Sequence, residues 1–419
     1  MTSAVWHPFT QHGLGHPIPL IERTEGAALY TKDGQRIIDG ISSWWVTTHG
    51  HSHPRIMAAI AEEAQKMDQI IFAGFTHEPA ERAASALVRM LPDPLAHVFF
   101  SDSGSTSVEV ALKMALGYWR RRAEPRHRII VMESSYHGDT FGTMSVGERG
   151  AFNRAYEPLL FDVARLPFPV AGAEQAMLDE LERICRDETP AALIVEPLLL
   201  GSGGMRLYSA ETLAAMHAIC ARWSVLFIAD EVMTGWGRTG TLLACEQAGI
   251  VPDILCLSKG LTGGAIPLAV TVASPMIFGA HLSQDRADML FHSSSYTANP
   301  IACAAACANL AIWESEPVLE RVANLAARQK LRLDRIATMP GVHNPRQLGT
   351  ITAFEIATRD GDYLSSLWAD LMALFRERNL LLRPLGNTVY AMPPYCIDDD
   401  DLDQLYAGLG EAVTRFAGS

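Results

Sequence analysis

Two segments of the sequence place an ionisable side chain directly after a short apolar run. VLFIADEV (225–232) leads to Asp230, and DILCLSKG (253–260) leads to Lys259. A buried carboxylate needs a cation or strong donors, and a lysine amine is a useful nucleophile only when its pKa is tuned or when it is stored in covalent form. We expect both side chains to face one crevice. The alternatives are a solvated Lys259 and an internal ion pair between Asp230 and Arg238.

An aldehyde cofactor with a cationic ring would satisfy both groups. Pyridoxal 5'-phosphate forms a Schiff base with a lysine, and its protonated pyridine nitrogen is a cation for a buried aspartate. Its phosphate needs the N–H groups of a helix start, which SGSTSVE (103–109) offers through Gly104 and Ser105. Thr106 and Glu109 form a capping-box pattern there. A nucleotide-binding glycine loop with a lysine and a hydroxyl at the required spacing is not found in the sequence.

A flat side chain beside the cofactor ring is also available. Tyr136 in SSYHGDT (134–140) follows another apolar run, although a plain core position would explain it equally well. Glu196 and Arg238 either contact the residues that bind the cofactor or stabilise only the fold. Each signal is weak alone, but four of them in compatible positions favour a pyridoxal phosphate site.

The elements that must position these residues are short apolar runs without polar alternation, typical of buried parallel strands. Helical patterns lie between them, as in an open α/β sheet, where ligands bind beyond the carboxyl ends of the strands. We therefore predict an α/β fold with a mostly parallel sheet, helices on both faces and a smaller α+β domain. The predicted strands lie in residues 97–104, 128–139, 191–197, 225–232 and 253–260.

The domain organisation follows from a change in composition after the helical segment that begins near Asn299. We predict an N-terminal segment (1–49) that packs with the small domain and the active site. A large cofactor-binding domain (50–312) and a small C-terminal α+β domain (313–419) follow, the latter with a helix around residues 363–378. Four aspartates at 398–401 are expected to open a helix, where carboxylates favour the positive end of the dipole, so no metal site is predicted.

Charge and cysteine usage narrow the class of protein. The net charge of −13 opposes binding to nucleic acid or to anionic membranes. Seven scattered cysteines without a C-x-x-C pair indicate neither a disulfide framework nor a zinc site. No apolar run approaches the length of a membrane span. We expect a soluble cytoplasmic enzyme that acts on small molecules.

With these residues in view, the chain resembles the class III pyridoxal-phosphate aminotransferases of fold type I over nearly its whole length. LFIADEVMTGWGRTG (226–240) and PDILCLSKGLTGG (252–264) carry the resemblance. It implies that Lys259 forms the Schiff base, that Asp230 pairs with the pyridinium and that Tyr136 stacks on the ring. It also implies that Gly104 and Ser105 hold the phosphate, and that the protein is a homodimer with shared active sites.

Further motifs are similar to the biotin-pathway branch of that class: WHPFT (6–10), DGISSWWVTTHGHSHP (39–54) and RPLGNTVYAMPPY (383–395). That branch converts 8-amino-7-oxononanoate to 7,8-diaminononanoate by ping-pong exchange through pyridoxamine phosphate, with S-adenosyl-L-methionine as amino donor. The resemblance implies substrate contacts from Trp44 and Arg383.

A nonanoate chain fits an apolar aromatic wall, and its carboxylate fits a planar bidentate donor such as Arg383. Core packing of the two tryptophans and a surface role for the arginine are the alternatives. The full set of expected substrate-binding residues is Phe9, Trp44, Trp45, Tyr136, Arg238, Ser293, Arg383 and Tyr390.

Two positions depart from the family pattern. Phe9 stands where a tyrosine is common, which removes a hydroxyl that could touch the substrate amine. Ser293, Ser294 and Ser295 replace a common Gly-Pro-Thr, and the hydroxyl of Ser295 could still donate to the phosphate of the neighbouring subunit. Lysine therefore remains an alternative amino donor to S-adenosyl-L-methionine. Another ω-aminotransferase, an aminomutase and a non-catalytic cofactor-binding module are the competing hypotheses.

Overall fold

The structure is a computed structural model that describes residues 4–358 and 367–418. Its strands are β1 (Ile21–Glu25), β2 (Ala28–Thr31), β3 (Arg36–Asp39), β4 (His97–Ser101), β5 (Ile129–Met132), β6 (Ala164–Leu166), β7 (Ala192–Val195), β8 (Leu199–Leu200), β9 (Arg206–Leu207), β10 (Leu226–Asp230), β11 (Ile254–Leu257), β12 (Ala269–Ala273), β13 (Val342–Leu348), β14 (Ile351–Ile356), β15 (Leu380–Leu381) and β16 (Thr388–Ala391). Its helices are α1 (Ser42–Trp45), α2 (Pro54–Lys66), α3 (Glu78–Met90), α4 (Gly104–Arg121), α5 (Phe141–Ser145), α6 (Glu174–Glu188), α7 (Ala210–Arg222), α8 (Pro275–Ala280), α9 (Pro300–Ser315), α10 (Val318–Ala337), α11 (Leu367–Glu377) and α12 (Asp399–Phe416).

A seven-stranded sheet forms the centre of the fold, in the order β4-β12-β11-β10-β7-β5-β6. All its neighbouring pairs are parallel except those of β12, which runs antiparallel to β4 and β11. Strands β5, β7, β10, β11 and β12 are buried along their whole length, with a separate apolar core on each face of the sheet. Strands covered on both faces need apolar side chains throughout, which explains the lack of alternation. The five predicted strands and the α/β fold class are confirmed.

The strand register brings the polar side chains to one edge of the sheet. Asp230 at the end of β10 lies beside Cys256 on β11, three residues before Lys259. Val195 on β7 lies beside Ala229, so Glu196 follows at the same level as Asp230. The crevice beyond the carboxyl ends of these strands therefore receives all three side chains, as expected for an open parallel sheet.

A second core joins the two ends of the chain. It contains apolar residues from the first 60 positions together with residues from α9 through α12. Strands β13, β14 and β16 form an antiparallel sheet, and β15 pairs in parallel with β3 of the N-terminal sheet. The division of the chain after residues 49 and 312 stays a prediction.

Two helices start where the sequence predicts, and the predicted cap of a third is wrong. The side chains of Asn299 and Asp398 accept hydrogen bonds at the starts of α9 and α12. At the start of α4, however, the capping box pairs Ser103 with Thr106, so the predicted pair of Thr106 with Glu109 is wrong. The hydroxyl of Ser103 accepts a hydrogen bond from the backbone N–H of Thr106, so the cap lies three residues before the predicted one.

Two further observations concern helices. Residues 363–366 of the predicted helix around 363–378 lie outside the described residues, and α11 covers the rest up to Glu377. None of the helices in the two described ranges is long and apolar enough to cross a membrane.

Candidate active site

A cavity of about 390 Å³ opens at the carboxyl edge of the central sheet. Most of the residues that the sequence singles out line it, although they come from distant parts of the chain. These lining residues are Phe9, Trp44, Trp45, Gly104, Ser105, Tyr136, Glu196, Asp230, Lys259, Arg383 and Tyr390.

Lys259 begins a short 3₁₀ turn directly beyond β11, with a positive φ of 47°. Its Nζ lies 4.7 Å from the centre of the Trp45 ring. Burial lowers the pKa of Lys259 to about 8, although the nearby carboxylates of Asp230 and Glu196 act in the opposite direction. A lysine with such a pKa has a useful neutral fraction near neutral pH, which a nucleophile and proton carrier requires.

Asp230 is 5% exposed and has two hydrogen-bond partners. Its Oδ2 lies 2.6 Å from Nδ1 of His137, and its Oδ1 accepts a hydrogen bond from the backbone N–H of Val232. A carboxylate held in this way keeps a fixed direction toward the cavity.

Arg238 is not the partner of Asp230. It is buried and donates to the carbonyl oxygen atoms of Thr47 and Pro393 instead, so the ion-pair alternative is wrong. Arg238 also does not line the cavity, and its predicted part in substrate binding stays a prediction. It joins the N-terminal segment to the loop after β16.

The start of α4 forms a tight cradle next to Lys259. A Cβ atom on Gly104 would lie 2.7 Å from the Val232 side chain, and one on Gly138 would lie 2.1 Å from Oγ of Ser105. The Ser105 hydroxyl also accepts a hydrogen bond from the backbone N–H of Asp139. Backbone without side chains at a helix N-terminus is suited to a phosphate.

These groups fit pyridoxal phosphate as a set. The buried amine of Lys259 suits the aldehyde, the carboxylate of Asp230 suits a protonated ring nitrogen, and the cradle at Gly104 and Ser105 suits the phosphate. Tyr136 and Trp45 supply flat surfaces in the same cavity. The chemistry of this donor set matches the three functional groups of the cofactor.

Tyr136 and Glu196 are tied together on one side of the cavity. The backbone N–H of Tyr136 donates to Oε1 of Glu196, and the N–H of Gly201 donates to Oε2. Burial raises the pKa of the Glu196 carboxyl to about 7 and also raises the pKa of the Tyr136 phenol. Glu196 thus changes charge near neutral pH, next to the amine of Lys259.

The other side of the cavity combines aromatic rings with a guanidinium group. The ring centres of Phe9 and Trp44 lie 5.5 Å apart, and those of Phe9 and Phe152 lie 5.9 Å apart. The Arg383 guanidinium carbon lies 5.2 Å from the Trp44 ring centre and 5.9 Å from that of Phe9. Such a surface accepts an alkyl chain that ends in a carboxylate.

Tyr390 lies deeper in the cavity than this wall. Its hydroxyl lies 2.9 Å from Nε1 of Trp45, whose ring also faces Lys259. The contact fixes the indole that covers the amine.

Ser293, Ser294 and Ser295 do not line the cavity of their own chain. The hydroxyl of Ser294 donates to Asp102, and Ser293 and Ser295 are exposed. Their predicted contact with a neighbouring subunit stays a prediction.

Sequence reasoning missed His137 and Phe152, both of which line the cavity. His137 adjoins Tyr136 in the motif SSYHGDT, so its proximity could have been noticed, but its bond to Asp230 depends on how β5 and β10 are placed. Phe152 lies in a loop without any periodic pattern.

A mostly parallel α/β sheet with a buried lysine, an aspartate and a phosphate cradle at its carboxyl edge defines a pyridoxal-phosphate enzyme of fold type I. Residues 10–413 match the family model for class-III aminotransferases, and the chain belongs to that family. It is therefore a pyridoxal-phosphate-dependent aminotransferase.

Individual relatives agree with this assignment. An adenosylmethionine-8-amino-7-oxononanoate aminotransferase from Synechococcus elongatus is 46% identical over 419 residues, covering 98% of each chain. The crystal structure of a Methanocaldococcus jannaschii protein of the same name covers 99% of this chain and 97% of its own, with a TM-score of 0.94 and 32% identity. A pyridoxal-phosphate-bound amine transaminase from an uncultivated Pseudomonas species covers 99% of both chains, with a TM-score of 0.93 and 31% identity.

Proposed function

We propose that the enzyme transfers an amino group to 8-amino-7-oxononanoate and forms 7,8-diaminononanoate, with S-adenosyl-L-methionine as donor. The observation that carries the proposal is the arrangement of one cavity: the amine of Lys259 at one position, and Arg383 among the rings of Phe9 and Trp44 at another. A nonanoate places its reacting carbon and its carboxylate far apart. The names of the Synechococcus and Methanocaldococcus relatives support the same substrate.

The residues around the cavity have distinct roles in the reaction. Pyridoxal phosphate, when bound, supplies an aldehyde for the amino group and a cationic ring that withdraws electrons. Lys259 accepts a proton from the amine-bearing carbon of the donor and later delivers a proton to carbon 7 of the acceptor. Asp230, held in place by His137, would be the partner of the protonated ring nitrogen. Trp45 covers the amine of Lys259 and limits the access of water.

Space for a donor larger than the acceptor supports S-adenosyl-L-methionine. A second cavity of about 590 Å³ shares Tyr136, Asp139 and Phe152 with the first. It continues to the polar side chains of Arg154 and Asn387. Both substrates of a ping-pong reaction must reach Lys259 through the first cavity, but the remainder of the donor can extend into the second. Lysine, the alternative donor, does not need this space.

An assay of the purified enzyme with each donor tests the proposal. We expect formation of 7,8-diaminononanoate from 8-amino-7-oxononanoate with S-adenosyl-L-methionine, and much less with lysine. A matched variant, Arg383→Lys, keeps the charge but loses the bidentate geometry, so its KM for the oxononanoate should rise. Turnover of simple ω-amino acids or amines with none on the oxononanoate would overturn the proposal and favour an ω-aminotransferase.

We also propose that two copies form a homodimer with shared active sites. Four large apolar side chains, Ile71, Phe75, Phe291 and Tyr296, are each more than 60% exposed. Their segments adjoin, since the Gln69 side chain donates to the carbonyl of Ser295. Exposed apolar residues in adjoining segments are typical of a protein interface. The serines predicted to reach the neighbouring phosphate lie in the same region.

Mixed dimers test this arrangement. Lys259→Ala and Ser295→Arg should each be poorly active, the second because a large charged side chain would enter the neighbouring site. If Ser295 serves the neighbour, equal mixing after dissociation should restore about a quarter of wild-type activity, because half the dimers then contain one intact site. A sedimentation profile of a monomer, or no recovery on mixing, would refute shared sites.

Two coarser proposals complete the description. We propose the domain division at residues 49 and 312, which limited proteolysis at the predicted boundaries would test. We propose a cytoplasmic location, supported by seven cysteines that carry free thiols. Cell fractionation would test it, and recovery of the enzyme outside the cytoplasm would contradict it.

A further inference from the structure

The two peptide groups that follow Lys259 are held by one buried side chain on another element. Nδ2 of Asn309, on α9, lies 3.0 Å from the carbonyl oxygen of Gly260 and 3.0 Å from that of Leu261. Asn309 is fully buried. An amide nitrogen has two N–H bonds, so both are used. The opposite orientation of the amide would place its oxygen against two carbonyl oxygen atoms, which excludes it.

A histidine fixes the other end of this amide. Oδ1 of Asn309 lies 3.0 Å from Nε2 of His49. Because Oδ1 can only accept, Nε2 of His49 must carry a proton and donate it. Burial lowers the pKa of His49 to about 4, so the ring is neutral and its proton stays on Nε2. The ring also contacts Trp313 and Tyr395 at centre distances of 5.7 and 6.3 Å, which hold its plane.

The backbone at Lys259 needs such support. Its φ of 47° is in the left-handed region, which costs a residue with a side chain on the order of 1 kcal/mol or more. The neighbouring Gly260 is packed so tightly that a Cβ there would lie 2.7 Å from Trp236. If the Asn309 amide were lost, two buried carbonyl groups would lose a donor, and the turn could relax toward an ordinary conformation.

We propose that Asn309, oriented by His49, is a positioning residue for Lys259. It fixes the backbone of the turn and thereby the starting point of the side chain, whose Nζ atom lies at the Trp45 ring. His49 acts through Asn309, and neither side chain lines the cavity. The inference rests on the role proposed for Lys259.

The variant Asn309→Asp keeps the size of the side chain and removes at least one of the two donors. We expect kcat to fall by about 100-fold, the loss that follows a small misplacement of a catalytic group, whereas KM should change by less than about twofold. In the cofactor-free protein, amide hydrogen exchange in residues 258–264 should become at least about tenfold faster. The exchange measurement does not depend on any substrate.

Gln329→Glu provides a matched control. Gln329 is also fully buried and donates its amide to a carbonyl, that of Thr350, but it lines neither cavity. This variant should lose thermal stability without faster exchange at 258–264 and without a lower kcat per cofactor-loaded site. A general loss of stability would affect both variants alike, which would overturn a specific positioning role.

Two variants at His49 test the other half of the pair. His49→Gln retains an N–H that can reach Asn309, and it should keep kcat within about fivefold of wild type, whereas His49→Leu should approach Asn309→Asp. Equal activity of His49→Leu and wild type, or unchanged exchange in Asn309→Asp, would overturn the inference. If the wild type fails to use the oxononanoate but exchange still responds as expected, the proposed substrate fails and the positioning role stands.

Discussion

The lowered pKa of Lys259 makes a quantitative prediction about how the cofactor attaches. Burial lowers this pKa from an ordinary 10.5 to about 8. At pH 7, about one Lys259 in ten would then be neutral, against about one in 3000 for an ordinary lysine. Only the neutral amine attacks an aldehyde. Lys259 should therefore react with the cofactor about 300-fold faster than it would with the ordinary lysine pKa of 10.5.

The assay uses cofactor-free protein mixed with pyridoxal phosphate over a range of pH values. The rate of covalent attachment, followed by absorbance and normalised to a lysine peptide, should rise about tenfold per pH unit and level off above about 8. Asp230 is the largest influence that raises the pKa of Lys259. The variant Asp230→Asn should therefore move the midpoint of the profile to a lower pH.

Two results would refute this reasoning. A midpoint near 10.5 would show that Lys259 is solvated, and an unchanged midpoint in Asp230→Asn would show that the charge of Asp230 does not act on Lys259. Lys259→Ala, which should show no attachment at this site, serves as the control. The same shift affects stability: because the unfolded state binds the proton more tightly between about pH 8 and 10.5, the free energy of unfolding of the cofactor-free protein should rise across that window.

Three further predictions follow from the cavity. Asp230→Asn should leave a folded protein whose kcat is at least about 100-fold lower, because the ring loses its charged partner; near-normal turnover would contradict the assigned role. Arg383→Gln should raise KM for the oxononanoate by roughly 10- to 100-fold with a smaller effect on kcat, as steady-state kinetics would reveal. Glu196, whose pKa burial raises to about 7, binds its proton more tightly in the folded state. Its contribution to stability should therefore decline from about pH 4.5 to 7, and denaturation of Glu196→Gln should lack that decline.

The sequence predicted the site residues that lie at the ends of strands. Apolar runs without alternation mark β7, β10 and β11, and the polar residue after each run must emerge at the same edge of a parallel sheet. Asp230 and Lys259 could therefore be placed together from the amino-acid pattern alone. The match to a family motif named the cofactor independently of that argument.

The remainder depends on contacts between distant segments. Arg238 is close to Asp230 in sequence and was the alternative partner, but packing turns Arg238 toward carbonyl groups and brings His137 from the loop after β5. The bond between His49 and Asn309 joins residues 260 positions apart. The cap of α4 was misplaced because Ser103 and Thr106 are both capable of capping. No local pattern distinguishes such alternatives.

The covalent link between Lys259 and pyridoxal phosphate, beside Asp230, is the central claim. Borohydride reduction of the purified enzyme, followed by peptide mass spectrometry, tests it most directly. We expect the reduced cofactor on Lys259 in wild type and on no other lysine. A labelled lysine elsewhere, or an unlabelled protein that still transaminates, would contradict the account.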